Sequence, residues 1–117
     1  MGPGRILVVE DPLVRRLIDD ILTRVGYTVV EADPEHAREL LADKTEKIAL
    51  LVTNTPERFA DYAQAVPLLY VSAFPEPRTA RQFPRCRALA KPFAPLTLLA
   101  LARELLEPVR EPARAGK

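Results

Sequence analysis

Where the apolar runs of this chain stop, chemically capable side chains follow. Ile6-Leu7-Val8-Val9 gives way to Glu10-Asp11, and Ile48-Ala49-Leu50-Leu51-Val52 to Thr53-Asn54. Leu68-Leu69-Tyr70-Val71 leads to Ser72, and Cys86-Arg87-Ala88-Leu89-Ala90 to Lys91. Two adjacent carboxylates can ligate a hard cation, which takes oxygen donors. A hydroxyl and an ammonium group can steady an anion. The carboxamide of Asn54 can donate and accept hydrogen bonds, but its nitrogen lone pair is delocalised, so it is a poor nucleophile. Each residue also has a plainer role. Asp11 before Pro12 suits a helix N-cap, Asn54 suits the start of a turn, Ser72 suits a strand end, and Lys91 suits a solvated surface.

Composition excludes other chemistries. Cys86 is the only cysteine and His36 the only histidine, which leaves no disulfide, no Cys cluster and no His-based zinc site or catalysis. No Ser, Thr or Cys has a base at a recognisable spacing, and the 4 glycines form no phosphate loop, so an enzyme is not expected. The net charge of +1 argues for neither nucleic acid nor membrane partners. Met1-Gly2-Pro3-Gly4-Arg5 shows no secretory apolar core, and no apolar run is long enough to span a bilayer, so a cytoplasmic protein is expected.

The elements that must position these residues follow from periodicity and punctuation. Five strands are expected: Ile6–Val9, Tyr27–Glu31, Ile48–Thr53, Pro67–Val71 and Cys86–Ala90. They are short and largely apolar, as strands covered on both faces are. Leu13, Val14, Leu17, Ile18, Ile21, Leu22 and Val25 form one stripe of a first helix that opens at Asp11-Pro12 and closes at Gly26. Asp33-Pro34 opens a second helix with Ala37, Leu40 and Leu41 inward. Pro56–Ala65 leaves room for a short third helix, and Pro75, Pro77 and Pro84 break the fourth. Pro95 starts a last helix through Leu106, and a frayed tail is expected over 108–117. Strands alternating with helices imply right-handed crossovers, a parallel sheet with helices on both faces and one domain over 1–117 with its core at 5–107. Sites in such sheets lie at the carboxyl ends of the strands, where the polar residues gather.

At this point the chain resembles the receiver domains of bacterial two-component response regulators. Ile6–Arg16 is similar to their first strand and helix, Gly26-Tyr27 to Glu31-Ala32 to their second strand, and Ile48–Asn54 to their phosphorylation strand. Val71-Ser72-Ala73 is similar to the hydroxyl motif and Lys91-Pro92-Phe93 to the Lys-Pro-Phe motif. The resemblance implies a flavodoxin-like (CheY-like) five-stranded sheet of order 2-1-3-4-5. It also implies an acidic pair, Glu10 and Asp11, for Mg²⁺, with Ser72 and Lys91 contacting a phosphoryl group. Asn54 falls at the acceptor position usually held by Asp, or Thr53 if the strand ends one residue earlier, and Ala88 falls at the aromatic switch position. The loop after the acceptor, the third helix and the fourth helix are also reduced.

What these departures imply is a pseudo-receiver: a single-domain signalling protein of two-component or phosphorelay pathways, acting by protein–protein contact without phosphorylation. No cofactor is expected beyond weak Mg²⁺ at Glu10 and Asp11, with Lys91 pairing to one of them instead. The partners implied are a histidine kinase, a phosphotransfer protein or another regulator, or a second copy through the face of the fourth helix, fifth strand and last helix. Arg78, Arg81, Arg85 and Arg87, with Leu98 and Leu101, are candidates for that surface. The alternatives are a receiver phosphorylated on a neighbouring acid, Glu57 or Asp61, a small flavodoxin-like enzyme, and nucleic-acid binding through the arginine stretch.

Overall fold

The computed structural model describes residues 4–107; the tail expected over 108–117 lies outside the described residues. Five strands, β1 (Arg5–Val9), β2 (Val29–Glu31), β3 (Ile48–Thr53), β4 (Leu68–Ser72) and β5 (Cys86–Ala90), form one sheet of order β2-β1-β3-β4-β5. Every neighbouring pair is parallel. The helices are α1 (Pro12–Arg24), α2 (Pro34–Ala42), α3 (Pro77–Ala80) and α4 (Pro95–Leu106). The flavodoxin-like order expected from the resemblance is therefore the observed one.

Strand alternation divides the apolar residues between two layers. Ile6, Val8, Leu50, Val52, Leu69, Val71 and Leu89 face α1 and α4, where Ile18, Leu22, Leu98, Ala102 and Leu105 meet them. Leu7, Val9, Leu51, Leu68 and Tyr70 face the other way, onto Ala37 of α2 and onto Phe59, Ala63, Val66 and Phe83. Both faces of β1, β3 and β4 are dry, which is why these strands read as nearly unbroken apolar runs.

Several expectations need correction. The first helix buries only Ile18 and Leu22 fully, whereas Leu13, Leu17 and Val25, assigned to its inward stripe, are exposed. An apolar stripe running every fourth residue drifts round the helix, so its ends leave the sheet. The second strand starts at Val29 rather than Tyr27, because the Tyr27 N–H donates to the Leu22 carbonyl and closes the end of α1. Gly26, at φ 100°, makes that reversal. Leu98 is fully buried against the sheet and is no partner surface, and Leu101 is half-buried. Arg85 is not free either. Its guanidinium donates to the carbonyls of Leu105 and Glu107, at 2.6 and 3.0 Å, at the C-terminal end of α4, where cations are favoured. Arg87 pairs with Glu104. Arg78 and Arg81 are exposed.

The third crossover is a 3-10 segment, Pro56–Tyr62, with a kink at Phe59. So short a segment holds by anchoring rather than by helical hydrogen bonding: Pro56 and Phe59 are both buried beneath it. Truncating Phe59→Ala is expected to cost about 3–5 kcal/mol, read as a lower urea midpoint with the slope unchanged.

Candidate functional site

The carboxyl ends of β1 and β3 are brought level by their register, in which Val9 pairs with Thr53. Glu10 and Asn54, the next residues on each, therefore emerge side by side. With Val9, Asp11, Pro34, Thr55 and Arg58 they line a crevice of about 200 Å³. Thr53 is fully buried below it. Its hydroxyl accepts the Thr55 N–H at 3.1 Å and lies 3.3 Å from the Thr55 hydroxyl.

Glu10 is the electrostatic centre of this end of the sheet. Its side chain has no exposed surface, and Lys91 at the end of β5 approaches both carboxylate oxygens at 3.2 Å. Hydrogen-bond geometry is met only at Oε1, which also accepts the Asp11 N–H at 3.1 Å. Oε2 is buried without a hydrogen-bond partner among the described residues. Burial pushes the Glu10 carboxyl above its ordinary range, and the Asp11 N–H and the Lys91 ammonium pull it part of the way back. Lys91 is itself fixed by its backbone N–H, which donates to the Ser72 carbonyl at 2.9 Å and ties β5 to β4. The Lys91–Pro92 peptide is cis.

The remaining residues divide into those that face the crevice and those that do not. Asp11 occupies the N-cap position of α1, but its side chain caps no backbone N–H. Its carbonyl accepts from Arg15 N instead, so the exposed carboxylate is left to the crevice. The Ser72 hydroxyl is turned to its own loop, where it accepts the Phe74 N–H at 3.1 Å. Glu57 and Asp61 do not line the crevice. Asp61 pairs with Arg38 at 3.0 Å, and Arg38 also donates to the Arg58 carbonyl.

Two residues of this region were not singled out by the sequence. Arg58 enters the crevice because the 3-10 turn after Thr55 brings it round; nothing in the linear spacing signals that. With two carboxylates facing Lys91 and Arg58, the formal charge is zero (−2 + 2), against −1 when Arg58 is left out. Tyr70 is the second. It is register partner to Ala88, and Ser72 is partner to Ala90. The buried Tyr70 side chain puts its hydroxyl where it accepts the Glu76 N–H at 3.1 Å. The aromatic bulk absent at Ala88 is thus present one strand over, pinned to the loop before α3. Counting back two residues from both Ser72 and Ala90 would have paired them.

For Mg²⁺ the donor set fits poorly. Among the described residues no three His, Cys, Asp or Glu side chains gather as a metal site. A cation at Glu10 must also displace an ammonium group already in contact with both oxygens.

The backbone is similar to several solved receiver domains. The receiver domain from the hybrid histidine kinase CckA has 25% identity and a TM-score of 0.70, covering 89% of this chain and 100% of that one. A signal receiver domain of an HD domain-containing protein from Pseudomonas fluorescens has 22% identity and a TM-score of 0.71, with 91% and 88% covered. Chemotaxis response regulator CheY4 of Vibrio cholerae has 20% identity and a TM-score of 0.72, with 90% and 100% covered. No family model matches the sequence, and no curated protein does. The fold is accordingly the receiver fold.

Removing the ammonium should expose the cost of burying Glu10. Lys91→Met is expected to destabilise the protein by about 1–3 kcal/mol at neutral pH, less than a fully buried pair because Lys91 is partly solvated. The folded-state Glu10 pKa, already raised, would rise further. The loss is therefore largest above that pKa and shrinks as pH falls through it, since a protonated Glu10 needs no counter-ion. Urea unfolding of both proteins across the acidic range measures this. A difference that grew on acidification would contradict the assignment.

Proposed function

We propose that the protein is a receiver-like module of two-component signalling that works without taking up a phosphoryl group and without catalysing a reaction. The observation that carries this reading is the carboxamide of Asn54 beside Glu10 and Asp11 in the strand-end crevice. A carboxylate there could attack phosphorus; an amide cannot. Three further features support it. Lys91 is committed to Glu10 and Ser72 to its own loop, so the two groups expected to contact a phosphoryl group are already engaged, and Tyr70 is committed to the Glu76 backbone. The solved receiver domains of similar backbone include one from a hybrid histidine kinase and a chemotaxis response regulator. That likeness favours a cytoplasmic partner from the same signalling class, a histidine kinase, phosphotransfer protein or other regulator.

Under this reading the output is binding, set by how much protein is present. Exposed Arg78 in the single-turn α3 and Arg81 just after it supply a cationic surface for such a partner. Nucleic acid is disfavoured because Arg85 and Arg87, the other half of the stretch, are spent on α4. A receiver phosphorylated on Glu57 or Asp61 is disfavoured because neither lines the crevice and Asp61 is paired.

Incubation with a small phosphodonor and Mg²⁺, followed by intact-mass measurement, is expected to leave the wild-type mass unchanged. Stoichiometric addition at Asn54 or a neighbouring acid would end the proposal. In the same samples, Mg²⁺ titration followed by amide shifts is expected to give weak, unsaturated changes at Glu10 and Asp11. Asn54→Asp should tighten that binding by restoring a third carboxylate.

A further inference from the structure

An apolar surface lies away from the crevice, on the outside of α1 and α4. Leu13, Leu17, Ile21 and Val25 run along α1 at intervals of four, and Leu13 is 87% exposed, Leu17 50% and Val25 56%. On α4, Leu96 is 79% exposed, and Leu99 is half-buried. The two helices touch, and the groove between them, about 370 Å³, is lined by Leu17, Ile21, Val25, Pro95 and Leu99. Scattered exposed leucines need no explanation, but a contiguous stripe does. Ile21 and Leu99 pack in part against the core, which Ile18, Leu22, Leu98, Ala102 and Leu105 complete from the same helices, whereas Leu13, Leu17 and Val25 lie outside it.

The rim of this groove carries charges that a covering surface must match. Asp20 and Arg24 line it together, one acidic and one basic, and neither has an ion-pair partner among the described residues. A partner carrying one sign of charge would be attracted at one of these positions and repelled at the other. A surface with the same mixed pattern, turned through a two-fold axis, sets each Asp20 against the other copy's Arg24. Side chains four residues apart are the ridges that interdigitate when two helices cross. A net charge of +1 puts no long-range repulsion between copies. We infer that a second copy of this chain covers the α1–α4 groove, forming a two-fold dimer in which the α1 stripes pack on one another and Asp20 and Arg24 pair across the axis. This is not the face of α3, β5 and α4 first expected to pair. It is carried by α1, and it leaves the strand-end crevice open.

Sedimentation across a concentration series, from micromolar to hundreds of micromolar, tests this on the full chain. Wild type is expected to shift from monomer to dimer. Leu17→Glu is expected to weaken association by at least about tenfold. Leu17 is already half exposed, so the variant should keep wild-type circular dichroism and thermal unfolding at low concentration. Asp20→Lys should weaken the dimer, and Asp20→Lys with Arg24→Glu should recover it, because the double change restores opposite charges across the axis. A wild type that stays monomeric throughout, which is what a foreign occupant of the groove would produce, would overturn the inference. So would a dimer indifferent to Leu17→Glu, or a failure of the double charge change to recover what the single one lost. None of these outcomes depends on whether position 54 accepts a phosphoryl group.

Discussion

A carboxylate with no exposed surface at the end of β1 is the constraint to which the upper half of the molecule conforms. Desolvating Glu10 raises the energy of its charged form, and only a counter-ion or proton relieves it. The counter-ion comes from Lys91, 81 residues away, at the end of β5. For the two to meet, β1, β3, β4 and β5 must lie in their observed order and register. The ion pair therefore reports on the sheet as a whole. An ammonium group in contact with both Glu10 oxygens also competes with any other cation for that carboxylate.

The other departures from a receiver-like layout are coupled to one another through β5. Shortening the crossover after β4 to the one-turn α3 leaves Ala88 and Ala90 exposed on the edge strand. Small side chains suit that position, because nothing lies over them to bury a larger one. Tyr70 and Phe83 are buried on the β4 side and fill the space nearer the centre of the sheet. The Tyr70 hydroxyl, accepting the Glu76 N–H, ties that aromatic ring into the interior beside the small Ala88 of the edge strand.

Much of this was legible in the chain. Asp33-Pro34 and Pro95 mark helix starts through local chemistry that tertiary context did not override, and β3 and β5 follow from uninterrupted apolar runs with polar stops. The acidic pair and Asn54 were findable because strand ends coincide in a parallel sheet. What could not be read was anything requiring a side-chain direction. Periodicity gave α1 a seven-residue apolar stripe, but it does not say which part of a winding stripe meets a sheet of finite width, so Leu13, Leu17 and Val25 were misplaced. Asp11 was read as a side-chain cap because Asp-Pro opens many helices, yet only the backbone carbonyl does that work here. Arg85 looked like one of four surface arginines; its role at the end of α4 depends on a contact 20 residues away.

The grip of Arg85 on the last carbonyls of α4 has a mechanical meaning. Arg85 immediately precedes β5 and Lys91 immediately follows it, and each is tied elsewhere, one to the foot of α4 and the other to the end of β1. The edge strand is therefore a beam clamped at both ends, with no free end to swing. A load applied at its middle, around Ala88, is shared between two distant supports and produces little travel at either.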